Sequence, residues 1–154
     1  MENLNLHKSK LYALAIAAVA LIAMLLPWQT VKIAFDLGGF GGGAGGRSVN
    51  GFHGWGWISL LGILAVVAGS LMGDKTKDYD ANTKMITLTG FGGIALGAVI
   101  FMIRVMGVKS GNGFKSSTGF GLFICLVAGV IGLLLVMGLV KMPAKPAAPP
   151  APPK

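Results

Sequence analysis

The residues able to do acid–base, nucleophilic or metal chemistry are few and scattered along this sequence. It has two histidines, His7 and His53, and one cysteine, Cys125. Its five acidic residues are Glu2, Asp36, Asp74, Asp78 and Asp80. All five lie outside the long apolar stretches, whereas ion-coupled transporters rely on carboxylates buried at mid-membrane. We therefore predict no catalytic site, no metal site and no cofactor, and a protein that is not an enzyme.

A glycine-rich run, residues 41–46, satisfies the pattern G-x-G-x-x-G. A dinucleotide-binding loop needs a surrounding βαβ unit, and a P-loop needs a following Lys-Ser/Thr; neither is indicated here. We interpret these glycines as positions of positive φ or close backbone approach, within the loop or against another subunit.

The composition of the chain indicates a membrane protein. Of 154 residues, 54% are apolar and only 12% are charged, with a mean hydropathy of +0.75. Four apolar segments, residues 11–28, 55–73, 85–103 and 119–140, are each long enough to cross a hydrocarbon core of about 30 Å. Lipid offers backbone groups no hydrogen-bond partner, so such segments are expected to be helices. The first continues through Leu26, longer than a cleaved signal, and we interpret it as a retained helix. We predict an all-α four-transmembrane-helix bundle over residues 1–141.

The distribution of basic residues predicts that both termini lie inside. In that orientation the inner side holds Lys8, Lys10, Lys75, Lys77, Lys84, Lys141, Lys145 and Lys154, and the outer side holds Lys32, Arg47, Arg104, Lys109 and Lys115. This bias agrees with the retention of positive charge in cytoplasmic loops. Trp28, Trp55 and Trp57 are then expected at the outer membrane boundary, with Arg104 extending to the headgroups. The outer loops have no Asn-x-Ser/Thr sequon, which favours a bacterial cytoplasmic membrane.

The first outer loop has the pattern of a β-hairpin. Val31, Ile33 and Phe35 alternate with smaller or more polar residues, as in a strand. A glycine-rich stretch, residues 38–46, separates them from a second short run, residues 47–52. We predict a small extracellular β-hairpin or sheet over the helix ends.

Small residues recur four apart on the predicted helices, a spacing that places them on one helix face. The positions we select for helix packing or self-association are Ala65, Gly69, Gly73, Gly93, Gly97, Gly121 and Gly129. Missing side chains there allow close backbone approach. Packing within the four-helix unit and contact between subunits both remain open.

The net charge of +8 does not indicate a nucleic-acid partner, because no basic stripe with interleaved aromatic residues accompanies it. Charges that anchor helix ends to anionic lipid explain it better. A Pro/Ala-rich tail, residues 142–154, is expected to be extended polyproline II, either a flexible end or a ligand for a partner with an aromatic groove.

The loop features together resemble the claudin-type tetraspan membrane proteins. Trp28 opens the first outer loop, Trp55 or Trp57 closes it, and strands are predicted between them. The chain has Gly54-Trp55-Gly56-Trp57 where that family has Gly-Leu-Trp, and it lacks the family's pair of loop cysteines. The resemblance implies a small sheet over a left-handed helix bundle, in proteins that pack side by side into strands or junctions.

Three functional hypotheses follow. The first is a non-enzymatic structural protein that associates laterally with itself, as a homo-oligomer or polymer in the lipid bilayer. The second is an accessory subunit of an envelope or transport complex, recognised through the Pro-rich tail. The third is a channel formed between subunits, since apolar gates need no charged residues.

Overall fold

A computed structural model describes residues 6–34, 44–107 and 114–140, and the chain is mostly helical within them. The predicted tail, residues 142–154, and most of the glycine-rich stretch lie outside these described residues. The described helices are α1 (Lys8–Leu25), α2 (Trp57–Leu71), α3 (Ala81–Gly107) and α4 (Phe120–Val136); the strands are β1 (Pro27–Ala34), β2 (Ala44–Asn50) and β3 (Phe114–Thr118). A short 3-10 turn, Gly54–Gly56, leads into α2.

Three of the described helical segments are long and apolar enough to cross a membrane: Lys8–Leu25, Gly54–Leu71 and Ala81–Gly107. The fourth, α4, is apolar and 17 residues long. Three of the four predicted segments are thus confirmed as helices whose length and apolar composition are sufficient to cross a membrane.

The end of α1 differs from the prediction of a helix that reaches Trp28. The helix ends at Leu25, and Leu26 is extended with φ −73° and ψ 159°. Pro27 is the reason, because the proline ring disfavours the helical conformation of the residue before it. Trp28 therefore belongs to β1 rather than to the first helix.

The helix α3 is longer than its predicted apolar segment, residues 85–103. It runs from Ala81 to Gly107, so about one further turn on each side of the apolar segment is also helical. The length of the apolar segment indicates how much hydrocarbon it can cross. The helix itself can continue beyond that segment.

Within the described residues, the four helices pack in the cyclic order α1, α2, α3, α4. Each packs against the two neighbours in that order, with α2 and α3 in the most extensive contact and α1 and α2 in the least. The buried core combines small side chains, including Ala13, Ala17 and Ala98, with a few large ones, chiefly Phe91 and Met24.

The three described strands form one antiparallel sheet in the order β2-β1-β3. The predicted small sheet is confirmed, and β3 from the second loop adds a strand that the sequence did not predict. Thr30 at the centre pairs with Ser48 on one side and Ser117 on the other. The sheet begins where α1 ends and α4 starts; we call this side of the molecule the sheet end. The opposite side, which carries the α2–α3 connection of residues 72–80, is the loop end.

Candidate functional site

The contact between α2 and α3, here called the α2–α3 seam, depends on glycines that bring two backbones together. A β-carbon at Gly62 would lie 2.5 Å from the carbonyl oxygen of Gly90 and 2.7 Å from the amide nitrogen of Ile94. One at Gly97 would overlap Ser59, whose nitrogen would be 2.7 Å away. Real β-carbons do not approach other atoms so closely, so the seam requires residues without side chains.

The other predicted packing glycines lie at contacts within the same chain. A β-carbon at Gly129 would lie 2.8 Å from the nitrogen of Ala95 on α3, and one at Gly121 would lie 2.6 Å from the carbonyl oxygen of Ala23 on α1. Gly69 faces Thr87 across the seam.

The three remaining positions of that prediction are less constrained. Ala65 and Gly93 are half-buried, and a β-carbon at Gly93 would be in ordinary contact, 3.4 Å, with the Cα of Gly62. Gly73 lies beyond the end of α2, with a positive φ of 77°, so it is a turn residue rather than part of a helix face. The contacts described above are packing contacts within one chain, and contact between subunits through these positions stays a prediction.

Buried hydroxyl groups reinforce the seam. The Ser59 hydroxyl on α2 donates across the seam to the carbonyl oxygen of Ile94 on α3 at 3.1 Å, whereas the Thr87 hydroxyl donates within α3 to the carbonyl oxygen of Thr83 at 2.8 Å. Among the described residues, every buried side-chain nitrogen or oxygen has a hydrogen-bond partner. The seam therefore contains buried hydroxyl groups whose hydrogen bonds are satisfied, a feature that the sequence did not indicate.

At the sheet end, Trp28 is the largest fully buried side chain in the described structure. Its Nε1–H donates to the carbonyl oxygen of Ala23 at 2.8 Å, and its ring meets Phe101 edge-on with centroids 5.2 Å apart. The prediction that Trp28 lies in an interfacial aromatic belt differs from this position. The turn at Pro27 directs the indole into the helix ends, where it joins the sheet to the helices.

Trp55, Trp57 and Arg104, also predicted for the outer boundary, are exposed at the sheet end. The guanidinium carbon of Arg104 lies 5.5 Å from the centroid of the Trp55 ring, in cation–π contact. A cavity of about 190 Å³ opens beside this pair, lined by Gln29, Gly54, Trp55, Phe101, Arg104 and Val105. We call it the arginine cavity.

The loop end carries a polar cluster that the sequence analysis missed. Lys10 is almost fully buried; its Nζ donates to the carbonyl oxygen of Asp74 at 2.9 Å and lies 5.5 Å from the centroid of the Tyr79 ring. The Ser9 hydroxyl donates to Asp78 at 2.7 Å and lies 2.6 Å from Nδ1 of His7. These contacts join the start of α1 to the α2–α3 connection.

The cluster contains Ser, His and Asp, but their order is not that of a catalytic triad. In a triad the histidine lies between the serine and the acid, so that it can accept the hydroxyl proton. Here the hydroxyl of Ser9 points directly at Asp78, and this hydrogen bond lowers the pKa of the Asp78 carboxyl. Burial raises the pKa of Tyr79. We interpret the cluster as a structural clasp.

An apolar groove of about 520 Å³ runs between α1 and α4, and we call it the α1–α4 groove. Its sides include Tyr12, Val19, Phe120, Phe123 and Ile131, and the small residues Ala15 and Ala128 leave room between them. Almost none of its lining surface is polar, so it suits hydrocarbon or apolar side chains.

No protein-family model, curated protein or solved structure matches this chain. The resemblance to the claudin-type group therefore stays a prediction.

Proposed function

We propose that this chain is an integral membrane protein whose four helices all cross the bilayer, and that it is a structural protein that associates laterally with copies of itself. The observation that carries the membrane part is the distribution of side-chain size. Large apolar residues point outward from every helix, among them Leu25, Leu61, Leu96 and Phe123, whereas alanine and glycine fill much of the interior.

This distribution is unfavourable in water and favourable in lipid. Leu61 and Leu96 are 63% and 60% exposed. Removing such a side chain from water is favourable by about 1.5–3 kcal/mol, so leaving it exposed to water is costly. In a bilayer, the same side chains are solvated by acyl chains, and helices associate through small residues that allow close backbone contact. The α2–α3 seam has this kind of contact.

The fourth helix fits a spanning role despite its length. Its 17 residues rise about 26 Å at 1.5 Å per residue, and the exposed apolar residues Met137, Leu139 and Val140 follow it. The membrane would then lie between the exposed tryptophans of the sheet end and the charged connection of the loop end. We propose that the loop end, with both termini, faces the cytoplasm of a bacterial cell.

The proposed self-association uses the α1–α4 groove, because the glycine contacts are already occupied within the chain. Phe120 stands at the sheet-end rim of the groove and is 73% exposed. In a dimer related by a two-fold axis along the helices, this face meets its own copy. The projecting ring of each copy then lies at the same depth as the groove of the other.

A larger assembly needs a second contact, and the sheet edges offer one. Within the described residues, β1 is paired on both sides, whereas β2 and β3 are each paired on one side only. Unpaired strand edges can pair with another chain. We propose that these edges continue the assembly beyond the dimer.

Disulfide crosslinking in native membranes tests the proposed contact. The native thiol is removed with Cys125→Ala, and a single cysteine is introduced by Phe120→Cys. The control, Leu64→Cys, places the cysteine at another exposed apolar position, on α2 and away from the groove. We expect a crosslinked dimer for Phe120→Cys and little for Leu64→Cys. Equal crosslinking at both positions, or none at Phe120→Cys, would contradict the proposal.

A further inference from the structure

The charges at the sheet end are of one sign within the described residues. Lys32, Arg47 and Arg104 lie there, and β3 places Lys115 opposite Lys32 in the sheet. The described carboxylates, Asp74, Asp78 and Asp80, all lie at the loop end. The 15 residues of α2 separate the two ends by about 22 Å, more than two Debye lengths at physiological salt.

The guanidinium of Arg104 is placed to receive an anion from outside. None of the hydrogen bonds or ion pairs between described residues involves Arg104, while its guanidinium carbon lies 5.5 Å from the centroid of the Trp55 ring. An arginine has five N–H donors in a planar fork that matches phosphate oxygens. Contact with the aromatic ring restricts the side chain and leaves those donors available.

The arginine cavity combines this charge with an apolar wall. Gln29 lines it beside Arg104, and its amide nitrogen uses one proton to donate to Ser116 at 2.8 Å, which leaves a second N–H. Phe101 and Val105, one helical turn apart on α3, form the apolar side. An anionic group joined to hydrocarbon complements both sides of this cavity.

We propose that the arginine cavity binds the phosphate of a phospholipid headgroup from the leaflet on the sheet side. The phosphate lies against Arg104 and the free N–H of Gln29, and the first carbons of the lipid lie against Phe101 and Val105. The site rests on the membrane part of the proposed function and is independent of self-association.

Native mass spectrometry of the full chain in detergent, titrated with phosphatidylglycerol, tests this site. Loss of a charge-assisted, forked contact is expected to weaken binding about tenfold or more in Arg104→Gln. Arg104→Lys, which keeps the charge without the fork, is expected to fall between that variant and the wild type. Arg47→Gln removes a charge of the same sign on β2, outside the cavity, and is expected to stay within about twofold of the wild type.

Two further arms identify the ligand. A galactolipid without phosphate should bind the wild type and Arg104→Gln equally, and millimolar inorganic phosphate should not displace phosphatidylglycerol. Equal binding by wild type and Arg104→Gln, equal losses in Arg104→Gln and Arg47→Gln, or displacement by inorganic phosphate would overturn the lipid site. Crosslinking through Phe120→Cys should be unaffected by Arg104→Gln, so failure here is distinguishable from failure of self-association. A chain that stays dispersed in detergent-free buffer would reject the membrane proposal itself.

Discussion

The α2–α3 seam and the α1–α4 interface join neighbouring helices in opposite ways. In the seam, Gly62 and Gly90 bring the two backbones into direct contact, and the Ser59 hydroxyl bonds across it. The α1–α4 interface is equally close at the sheet end, where Gly121 meets Ala23, but from Phe120 to Ile131 the two helices also leave a groove of about 520 Å³ between them.

The difference separates two uses of small residues. Glycine in the seam removes the space between helices, so the contact is complete within one chain. In the groove, Ala15 and Ala128 lie among larger side chains on both helices. The space above these two alanines is not filled by their neighbours, and it remains as the groove. The closely packed seam has no space for a side chain of another molecule, whereas the groove has space for an apolar group.

Replacing Trp28 should have the largest effect, because it closes the tight part of the α1–α4 interface. Trp28→Ala removes a fully buried ring and its hydrogen bond to Ala23, and we expect a loss of about 3–5 kcal/mol in the free energy of unfolding. Denaturant titration in detergent micelles measures this. The exposed Trp57 is the control, and Trp57→Ala should cost less than about 1 kcal/mol. Similar losses in both variants would show that Trp28 is not a core residue.

The seam should be sensitive to a single added methyl group. Gly62→Ala places a β-carbon against the backbone of α3, and we expect a destabilisation of about 1–3 kcal/mol from overpacking, measured by the same titration. Gly92→Ala on α3 is the matched control, since nothing lies within 4 Å of a β-carbon there. Alanine favours helix over glycine by about 1 kcal/mol, so Gly92→Ala should be neutral or stabilising. Equal free energies of unfolding for Gly62→Ala and Gly92→Ala would show that the seam is not more tightly packed than the rest of α3.

Filling the groove should change association more than stability. Ala15→Leu adds a side chain at an exposed position of the groove, so we expect a change within about 0.5 kcal/mol in the free energy of unfolding. The Phe120→Cys crosslink should fall at the same time, because the added leucine occupies the space offered to the second copy. Unchanged crosslinking would assign the groove to lipid instead.

The smallest expected effect concerns acid at the loop end. Because the pKa of Asp78 is lowered below its usual 3.8, chiefly by the Ser9 hydroxyl, the stabilisation it contributes is present above pH 3.8. It is lost as the pH falls through the lower pKa of the folded state. The wild type should therefore lose more stability than Asp78→Asn between pH 5 and pH 2. Because Asp78 is largely exposed, the difference between the two proteins will be small. Identical dependence of their unfolding free energies on pH would show that the Ser9–Asp78 hydrogen bond does not stabilise the fold.

The sequence predicted the apolar segments and the hairpin because both depend on local patterns of hydropathy and alternation. The end of α1 at Leu25 was also readable, since Pro27 restricts the residue before it. The β3 strand was not, because five mainly polar residues carry little signal, and they become a strand only beside β1.

The burial of Lys10 could not be predicted from the sequence either. A lysine before an apolar run is ordinarily an interfacial anchor, and only the folded α2–α3 connection brings the Asp74 carbonyl and the Tyr79 ring to it. The spacing of the glycines predicted helix faces but could not specify the neighbour that each face contacts. The pairing of Arg104 with Trp55 likewise depends on residues far apart in the sequence.

The depth of α3 in a bilayer is the most direct test of whether the helices cross a membrane. Spin labels at Leu96 and Asn82, both exposed on α3 and about 21 Å apart along it, are compared for collision with oxygen and with a water-soluble nickel chelate in reconstituted vesicles. If lipid surrounds the helices, the label at Leu96 will meet oxygen and exclude nickel, and the label at Asn82 will meet nickel. Equal access of nickel to both positions would contradict a membrane-spanning α3 and the account built on it.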